Sequence, residues 1–536
     1  MKNNELRFRE FFENADSQLV KIEINHLIPL PSPYDKSQVS AWRELDTDQR
    51  RRLVCNLDGF IAAGLPVPQN AAEEQKYIDQ FVKGLKKLLS RESNWTFLQP
   101  LLLSLDFCVK CQTCCDSCHI YLASGRNALY RPAFRSEIFR RLVNKYARKS
   151  SSLLSRFGVD EIKLNWATIS RLYELSYRCN LCRRCAQACP MGVDNALITR
   201  ELRKLFSQEL GWAPQELHEK GTQLQLKVGS PTGMKPKVVK DNLDFLDKDF
   251  SEVTGLNIAT PWDKSGADVL LLPGAGDILS FPESIMAFSI LCNAAGINWT
   301  LSSEAPGYDG VNYGLFYDDI QFVKIALQHA RIAKKLGVKK IVMGECGHQH
   351  KAMMAVADRI LTGELNIPRE SSMTFLENLV FSGRIKFDPD RNNFPVTLHD
   401  PCNIVRNLGI VEPQRRILRY LCPQFREMNP HGVDNYCCGG GGGLSLLAGA
   451  NFIGWKVNIS GGLKFKQILA AFSDCPGSGV KKYLCAPCLN CKLQFRDLLE
   501  YYDAKEKSGI YCGGLAELIV NAMVDLKNPF ITWGEY

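Results

Sequence analysis

The feature that most constrains this chain is a run of cysteines, Cys179-x2-Cys182-x2-Cys185-x3-Cys189-Pro190, with a near copy upstream, Cys108-x2-Cys111-x2-Cys114-x3-Cys118. A tight loop winds three thiols at such steps around one iron–sulfur cube, and the fourth turns away to complete a second cube. Zinc fits poorly, because structural zinc sites use well-separated C-x2-C pairs. Two runs imply two [4Fe–4S] cubane clusters. One is expected on Cys108, Cys111, Cys114 and Cys189, the other on Cys179, Cys182, Cys185 and Cys118. The first run departs from the pattern in carrying His119 where proline is usual and an additional Cys115. Cys115 is an alternative to Cys114 as ligand, although the x3 gap to Cys118 favours Cys114.

Composition agrees with a metal-binding role for the thiols. There are 21 cysteines in 536 residues, and Met1–Phe12 is charged without the apolar core of a secretion signal. A disulfide framework is therefore not expected. With 45% hydrophobic and 23% charged residues, and no apolar run of about eighteen residues, the chain is expected on the cytoplasmic side, reaching a membrane only through partner subunits. The net charge of +9 is concentrated between Arg131 and Lys149. A solvated helix face is the preferred reading of that run, ahead of a dock for an acidic partner. Nucleic acid is not expected, since no binding motif accompanies it. Cys55, Cys292, Cys422, Cys475 and Cys512 fit no spacing and read as buried, inert thiols.

The fold class expected is α+β multidomain. Residues 1–100 read as a helical N-terminal extension, with apolar positions at helical spacing over Ala71–Ser90. Residues 101–260 read as a helical two-cluster domain and a polar linker, Glu219–Asp249. Beyond that, short apolar runs at Val269–Leu272, Lys339–Met343, Phe394–Leu398 and Lys482–Leu484 alternate with helical segments such as Pro282–Ala295. This is the pattern of α/β units whose reactive residues sit at the C-terminal ends of strands. Two such domains are expected, at 261–393 and 394–536.

A second constellation lies in the last domain: His399-Asp400-Pro401-Cys402, then Cys437-Cys438-Gly439-Gly440, then Cys485-Ala486-Pro487-Cys488-Leu489-Asn490-Cys491. Adjacent thiolates fit a cubane poorly, and the glycines after them let backbone approach a metal closely. The run Gly439–Gly443 lacks the Lys-Ser/Thr ending of a phosphate loop. Cys402…Cys437-Cys438-Gly439…Cys488-x2-Cys491 resembles the CCG domain of the heterodisulfide reductase catalytic subunits and their relatives.

The resemblance implies a non-cubane [4Fe–4S] cluster on Cys402, Cys437, Cys438, Cys488 and Cys491, acting on a disulfide. The Cys438–Cys488 gap is longer than the family pattern, which leaves the role of Cys485 open. The family normally carries two CCG domains. Here Pro273-Gly274-Ala275, Glu304-Ala305-Pro306-Gly307 and Gly344-Glu345-Cys346-Gly347-His348 stand where the first copy's cysteines would be. The first copy is therefore expected to be degenerate, with Cys346, His348 and His350 either lining the active cleft or forming an ordinary turn. His399 is a candidate proton donor or an orienting residue for Cys402. The members it is most similar to serve sulfur-metabolism membrane complexes. That implies a b-type cytochrome partner and a sulfur-carrier protein as substrate, with either direction of electron flow. The alternative is the iron–sulfur subunit of a flavin-dependent glycolate, lactate or glycerol-3-phosphate dehydrogenase.

Overall fold

A computed structural model describes residues 27–34, 65, 67–148, 162–274, 276–447 and 452–534. Most of the expected N-terminal extension, with Cys55, Lys149 and Ala275, lies outside the described residues. The chain divides into two compact units. One comprises Met1–Pro214, Phe316–Asp319 and Gly439–Leu463, and the other Gln215–Leu315, Ile320–Cys438 and Lys464–Tyr536.

The first unit is helical. Helix α1 (Ala71–Leu88) starts where the Asn70 side chain accepts the Glu73 amide, and it has acids in its first turn and lysines in its last. Both features suit the helix dipole. Its buried face, Phe81, Leu85 and Leu88, belongs to a core completed by α2 (Leu98–Asp106), α3 (Pro132–Tyr146), α4 (Trp166–Ser176) and α5 (Asn195–Leu205). Tyr173 meets Phe206 edge-on at 5.2 Å, a favoured aromatic geometry.

The basic run on α3 is only in part a solvated face. Arg135 and Arg140 are buried; Arg135 donates to Thr199 Oγ1 at 2.7 Å and Arg140 to the Ser104 carbonyl at 3.2 Å. Arg141 and Arg148 pair with Glu137 and Asp106. Lys145 stays exposed, so the run is divided between solvent and partners within the unit, where long arginines reach Ser104, Asp106 and Thr199 on neighbouring helices.

The second unit is α/β. Helix α6 (Pro236–Thr254), with the helical stretches Glu216–Gln223 and Leu224–Val228 before it, replaces most of the expected linker. Pro236 sits in its first turn, Val239, Leu243 and Leu246 form a buried stripe, and Gly255 closes it at φ 74°. Those are ordinary start, face and stop signals, hidden among many lysines and aspartates.

Strand β1 (Val269–Leu272), helix α7 (Pro282–Ala294), β2 (Trp299–Thr300), α8 (Asp319–Leu336), β3 (Lys340–Met343) and β4 (Arg369–Ser371) build a parallel sheet in the order β2-β1-β3-β4. Helix α9 (Ser372–Val380) leads on to β5 (Val396–Leu398), α10 (Pro413–Leu421), β6 (Phe425–Arg426), α11 (Gly462–Ala471), β7 (Lys482–Cys485), α12 (Leu489–Tyr501), β8 (Ile510–Gly513) and α13 (Leu515–Asn521). The second sheet is also parallel, in the order β6-β5-β7-β8.

The central strands are buried along their length, as parallel strands covered on both faces must be. One hydrophobic core runs through both sheets, joining Val269 and Leu271 to Val396, Leu398 and Tyr483. The four strands read from the sequence are all present. The two-residue and three-residue edge strands carry too little pattern to be read.

Candidate functional site

The two upstream cysteine loops, both in the first unit, share an unusual backbone. Lys110 and Gln112 flank Cys111 with φ of 59° and 64°, and Leu181 and Arg183 flank Cys182 with φ of 52° and 63°. A left-handed conformation costs a non-glycine residue about 1 kcal/mol or more. Four such residues at matching positions mark two loops wound the same way. Such winding fits a [4Fe–4S] cube in each loop.

Burial pushes the Cys118 thiol up to about 12, with Cys182 and Cys179 adding to the effect. Cys185 is likewise pushed up by burial and by Asp194, Cys182, Cys179 and Cys118. Cys118 thus shares a site with Cys179, Cys182 and Cys185. In the other loop, the hydrogen bond between Cys114 and Cys115 raises the first thiol and lowers the second. The Cys189 sulfur accepts the Val193 amide at 3.3 Å and Cys179 the Leu181 amide at 3.5 Å. Bonds of this type tune cluster potentials.

His119 and Asn180, each following a cysteine, tie the loops together through a 2.8 Å bond. Asn180 Nδ2 also donates to the Gly439 carbonyl at 2.7 Å. Buried Arg203 donates to the carbonyls of Gly442 and Cys179, at 2.7 and 2.8 Å. Neither role was visible in the sequence. The glycine run is explained by the same packing. A Cβ on Gly441 would stand 2.7 Å from the Asn180 carbonyl oxygen, and one on Gly439 2.8 Å from the Gly461 nitrogen. These glycines admit neighbouring backbone.

The second unit gathers its reactive side chains where β3, β5 and β7 end, as open parallel sheets do. Strand β5 delivers His399 and then Cys402, at the start of the helical turn Cys402–Val405. Strand β7 delivers Cys488 and, on the first turn of α12, Cys491. Cys437 and Cys438 follow the turn Gly432–Asp434.

A ring nitrogen of His399 and the sulfurs of Cys438 and Cys491 all lie within 4.8 Å of one another. Hydrogen bonds from Cys437 first, then Cys491 and His399, hold Cys438 well below the usual thiol range against the effect of burial. Cys488 is lowered by its bond to Cys491 and by the Gly347 amide, which lies 3.2 Å from its sulfur. A Cβ on Gly347 would stand 3.3 Å from that sulfur and 3.4 Å from Asn403 Cβ, so Gly347 permits this approach beside Cys402. Four converging thiols and an imidazole exceed the tetrahedral set of a single zinc ion. The donor set therefore fits a multi-iron group.

Cys485 is not in this group. Its thiol ends β7 in the hydrophobic core, and burial raises it, helped by Glu345 and Cys422. Cys346 is fully buried, and its thiol is raised by burial and by Cys488. His348 feels Cys438, while burial pulls it down to about 3. His350 is a satisfied core residue, bonded to the Cys346 carbonyl and to Ser371 Oγ, each at 2.8 Å. His399 is lowered by burial, then by Lys464, against the pull of Cys438. Lys464, which the sequence did not flag, is buried beside this group and drawn down to about 7 by burial. It stands on a largely apolar helix with no motif to mark it.

The paired upstream loops have the cysteine pattern of a [4Fe–4S] dicluster domain. A 4Fe-4S dicluster domain family matches residues 104–193. Over most of its length the chain is similar to the Hdr-like menaquinol oxidoreductase iron-sulfur subunit 2 of Archaeoglobus fulgidus, at 28% identity covering 83% of each chain. It is similar too to the Hdr-like menaquinol oxidoreductase iron-sulfur subunit of Archaeoglobus profundus, 27% identical over 78% of this chain and 79% of the relative. A third relative, from the dihydromethanophenazine:CoB–CoM heterodisulfide reductase of Methanosarcina barkeri, is 25% identical, over 79% of this chain and 95% of that one. The chain is thus heterodisulfide-reductase-like, with the character of a [4Fe–4S] electron-transport oxidoreductase. No described helix is long and apolar enough to cross a membrane.

Proposed function

We propose that this chain is the catalytic iron–sulfur subunit of a membrane-attached redox complex that interconverts a disulfide or trisulfide and its thiols. The observation that carries the reading is the convergence of Cys437, Cys438, Cys488, Cys491 and His399 at the ends of two strands. Cys402 completes the proposed five-cysteine set. In this reading the chain is organised as a two-cubane helical domain and two CCG domains, the first degenerate. The five cysteines would hold a non-cubane [4Fe–4S] cluster, which would supply one-electron chemistry to a substrate sulfur when bound.

The residues divide the remaining work. The two cubane loops deliver electrons one at a time. His399, beside Cys438 and Cys491, gives a proton to the departing thiolate. Cys346 and His348 wall the cleft. The balance is RS–SR′ plus two electrons and two protons giving RSH and R′SH, and the reverse reaction uses the same groups.

Within the heterodisulfide-reductase relatives we assign the chain to the DsrK type, of the DsrMKJOP complex of sulfur metabolism. A DsrM-like membrane b-type cytochrome would be its electron partner and a DsrC-like sulfur carrier its substrate. It would lie on the cytoplasmic face of the membrane, held by its partner subunits. The relatives do not favour the flavin-dehydrogenase alternative.

The test is iron and acid-labile sulfide on anaerobically purified chain, with EPR before and after adding a thiol or disulfide substrate. The expected result is about twelve irons and a signal that substrate alters. About eight irons with a substrate-blind spectrum would leave an electron carrier and overturn the catalytic reading.

A further inference from the structure

Lys464 is a buried cation whose hydrogen-bond partners are all neutral. It stands one turn before Gln467 on α11, with no exposed surface. Its ammonium donates to Asn435 Oδ1 and Gln467 Oε1 and reaches Met428 Sδ at 3.5 Å. Among the described residues no carboxylate lies within salt-bridge distance of it. Two other buried lysines are provided for differently. Lys204 has Glu201 at 2.7 Å and Asp319 at 2.9 Å, and Lys492 has Asp277 at 3.5 Å and Glu517 at 3.9 Å.

Asp400, the acid closest in effect to Lys464, is held away from it by Arg415, which it shares with Glu427. Arg415 binds both of its oxygens, at 2.8 and 2.6 Å, and the Gly432 amide donates to it at 2.6 Å. A buried charge is tolerated when an anion faces it. The groups left facing Lys464 are Cys437 and Cys438, with Arg406 opposing.

We infer that Lys464 is the counter-charge of the Cys437–Cys438 centre, a positioning residue that favours the reduced, more negative form of the cluster proposed there. Asn435 fixes the arrangement. Its Oδ1 takes the ammonium, while its Nδ2 donates to the Asp400 carbonyl at 3.2 Å and faces His399 Nδ1 at 3.5 Å. The ammonium is thereby locked to the turn that leads into the cysteine pair. Reduction adds one negative charge, and a fixed cation in a low-dielectric site lowers the cost of adding it. Centre potentials respond to local charge and burial in this way. The inference rests on the function proposed above.

The test is a potentiometric EPR titration of the anaerobically purified full chain, with iron content measured on every variant. Lys464→Gln should keep its iron and both cubane signals. At a fixed potential its third centre should be at least tenfold less reduced, a midpoint lower by about 59 mV for a one-electron couple. Lys464→Arg should return the centre to within about threefold of wild type, since it keeps the charge. Gln467→Glu sets a carboxylate against an intact Lys464 and should shift the ratio about threefold in the same direction as Lys464→Gln, which covers the case in which Lys464→Gln does not fold. Full iron with an unmoved midpoint in Lys464→Gln or Gln467→Glu overturns the inference, as does an Arg variant shifted as far as Gln. A wild-type chain with about eight irons removes the third centre itself and overturns the function reading before Lys464 is at issue.

Discussion

The two sheets of the second unit are built alike and equipped differently. Both are parallel, and both place the second strand outside the first and the third and fourth on its other side. Their third strands end in the same tight turn, with the Cys346 amide donating to the Gly344 carbonyl and the Cys488 amide to the Ala486 carbonyl, each at 2.7 Å. After that the halves part. The second carries Cys488 and Cys491 onward, where the first has Cys346 followed by Gly347 and His348. The exits of the first strands differ as well. Where β5 is followed by His399 and Cys402, β1 is followed by Gly274 and Gly276, and a Cβ on either would stand 2.6 or 2.8 Å from the Leu489 side chain. Space that one half uses for thiols is filled in the other by a leucine from its neighbour. A repeated backbone preserves the places for ligands, and side-chain volume decides which places remain usable.

The sharpest way to break that comparison is to exchange thiols in the two halves. Cys438→Ser or Cys491→Ser should take the chain from about twelve irons to about eight and abolish turnover. Cys346→Ser should leave the iron content at wild type. Equal losses from both halves, measured by iron and sulfide analysis, would mean that the first half binds metal too. His399 offers a second contrast, because the first half has Pro273 at the corresponding strand end. His399→Gln should keep its iron yet lower disulfide turnover on the order of a hundredfold, the usual scale for losing a positioned proton donor. Unchanged turnover would remove His399 from the chemistry and leave it an orienting group.

How far this site was legible depended on whether its chemistry is written in local spacing. The cubane loops were legible because three ligands fall within seven residues, and Val269–Leu272 and Lys482–Cys485 because buried parallel strands are uninterrupted apolar runs. Resemblance pointed to Cys437-Cys438 and Cys488-x2-Cys491 as one set. Spacing alone did not, since α11, β7 and much irregular chain separate the pairs. Lys464, Asn435, Asn180 and Arg203 were illegible for a related reason. Each acts through contacts made far along the chain, and a lysine or asparagine outside any motif looks the same whether it is solvated or buried. The basic helix misled in the opposite sense, because its arginines read as surface charge until carbonyls and acids on other helices are placed beside them.

A smaller effect is expected where the halves meet. Glu345 of the first half is buried beside α13 of the second, its Oε1 accepting the Leu515 and Ala516 amides at 3.0 and 2.9 Å. Burial raises it from 4.5 to about 7. The folded state therefore holds a proton that the unfolded chain releases between those values. Stability falls as pH rises from about 4.5 to about 7 and is level beyond. Glu345→Gln, which mimics the protonated form, should flatten that slope and stabilise the protein by roughly 1–3 kcal/mol at pH 8. Anaerobic urea unfolding at several pH values measures it. A slope identical to wild type would place the titration on another group, with Asp277, whose carboxyl burial also raises, next in line.

The smallest effect separates the histidines of the first half from that of the second. His350 has both ring nitrogens occupied, by the Cys346 carbonyl and Ser371 Oγ, and burial pulls it down to about 4. It is neutral in the folded state, with both nitrogens engaged by partners away from the cysteine group. Ser371 also starts α9, its side chain accepting the Met373 amide at 3.1 Å. Ser371→Ala should therefore cost about 1–2 kcal/mol of stability, from a lost cap and an unpaired imidazole nitrogen. Turnover and EPR at the cysteine centre should be unchanged. If the variant instead lost turnover while keeping its fold and iron, the Cys346–His350 turn would be acting on the chemistry and not merely walling it. The contrast between a working half and a filled half would then have to be redrawn around that turn.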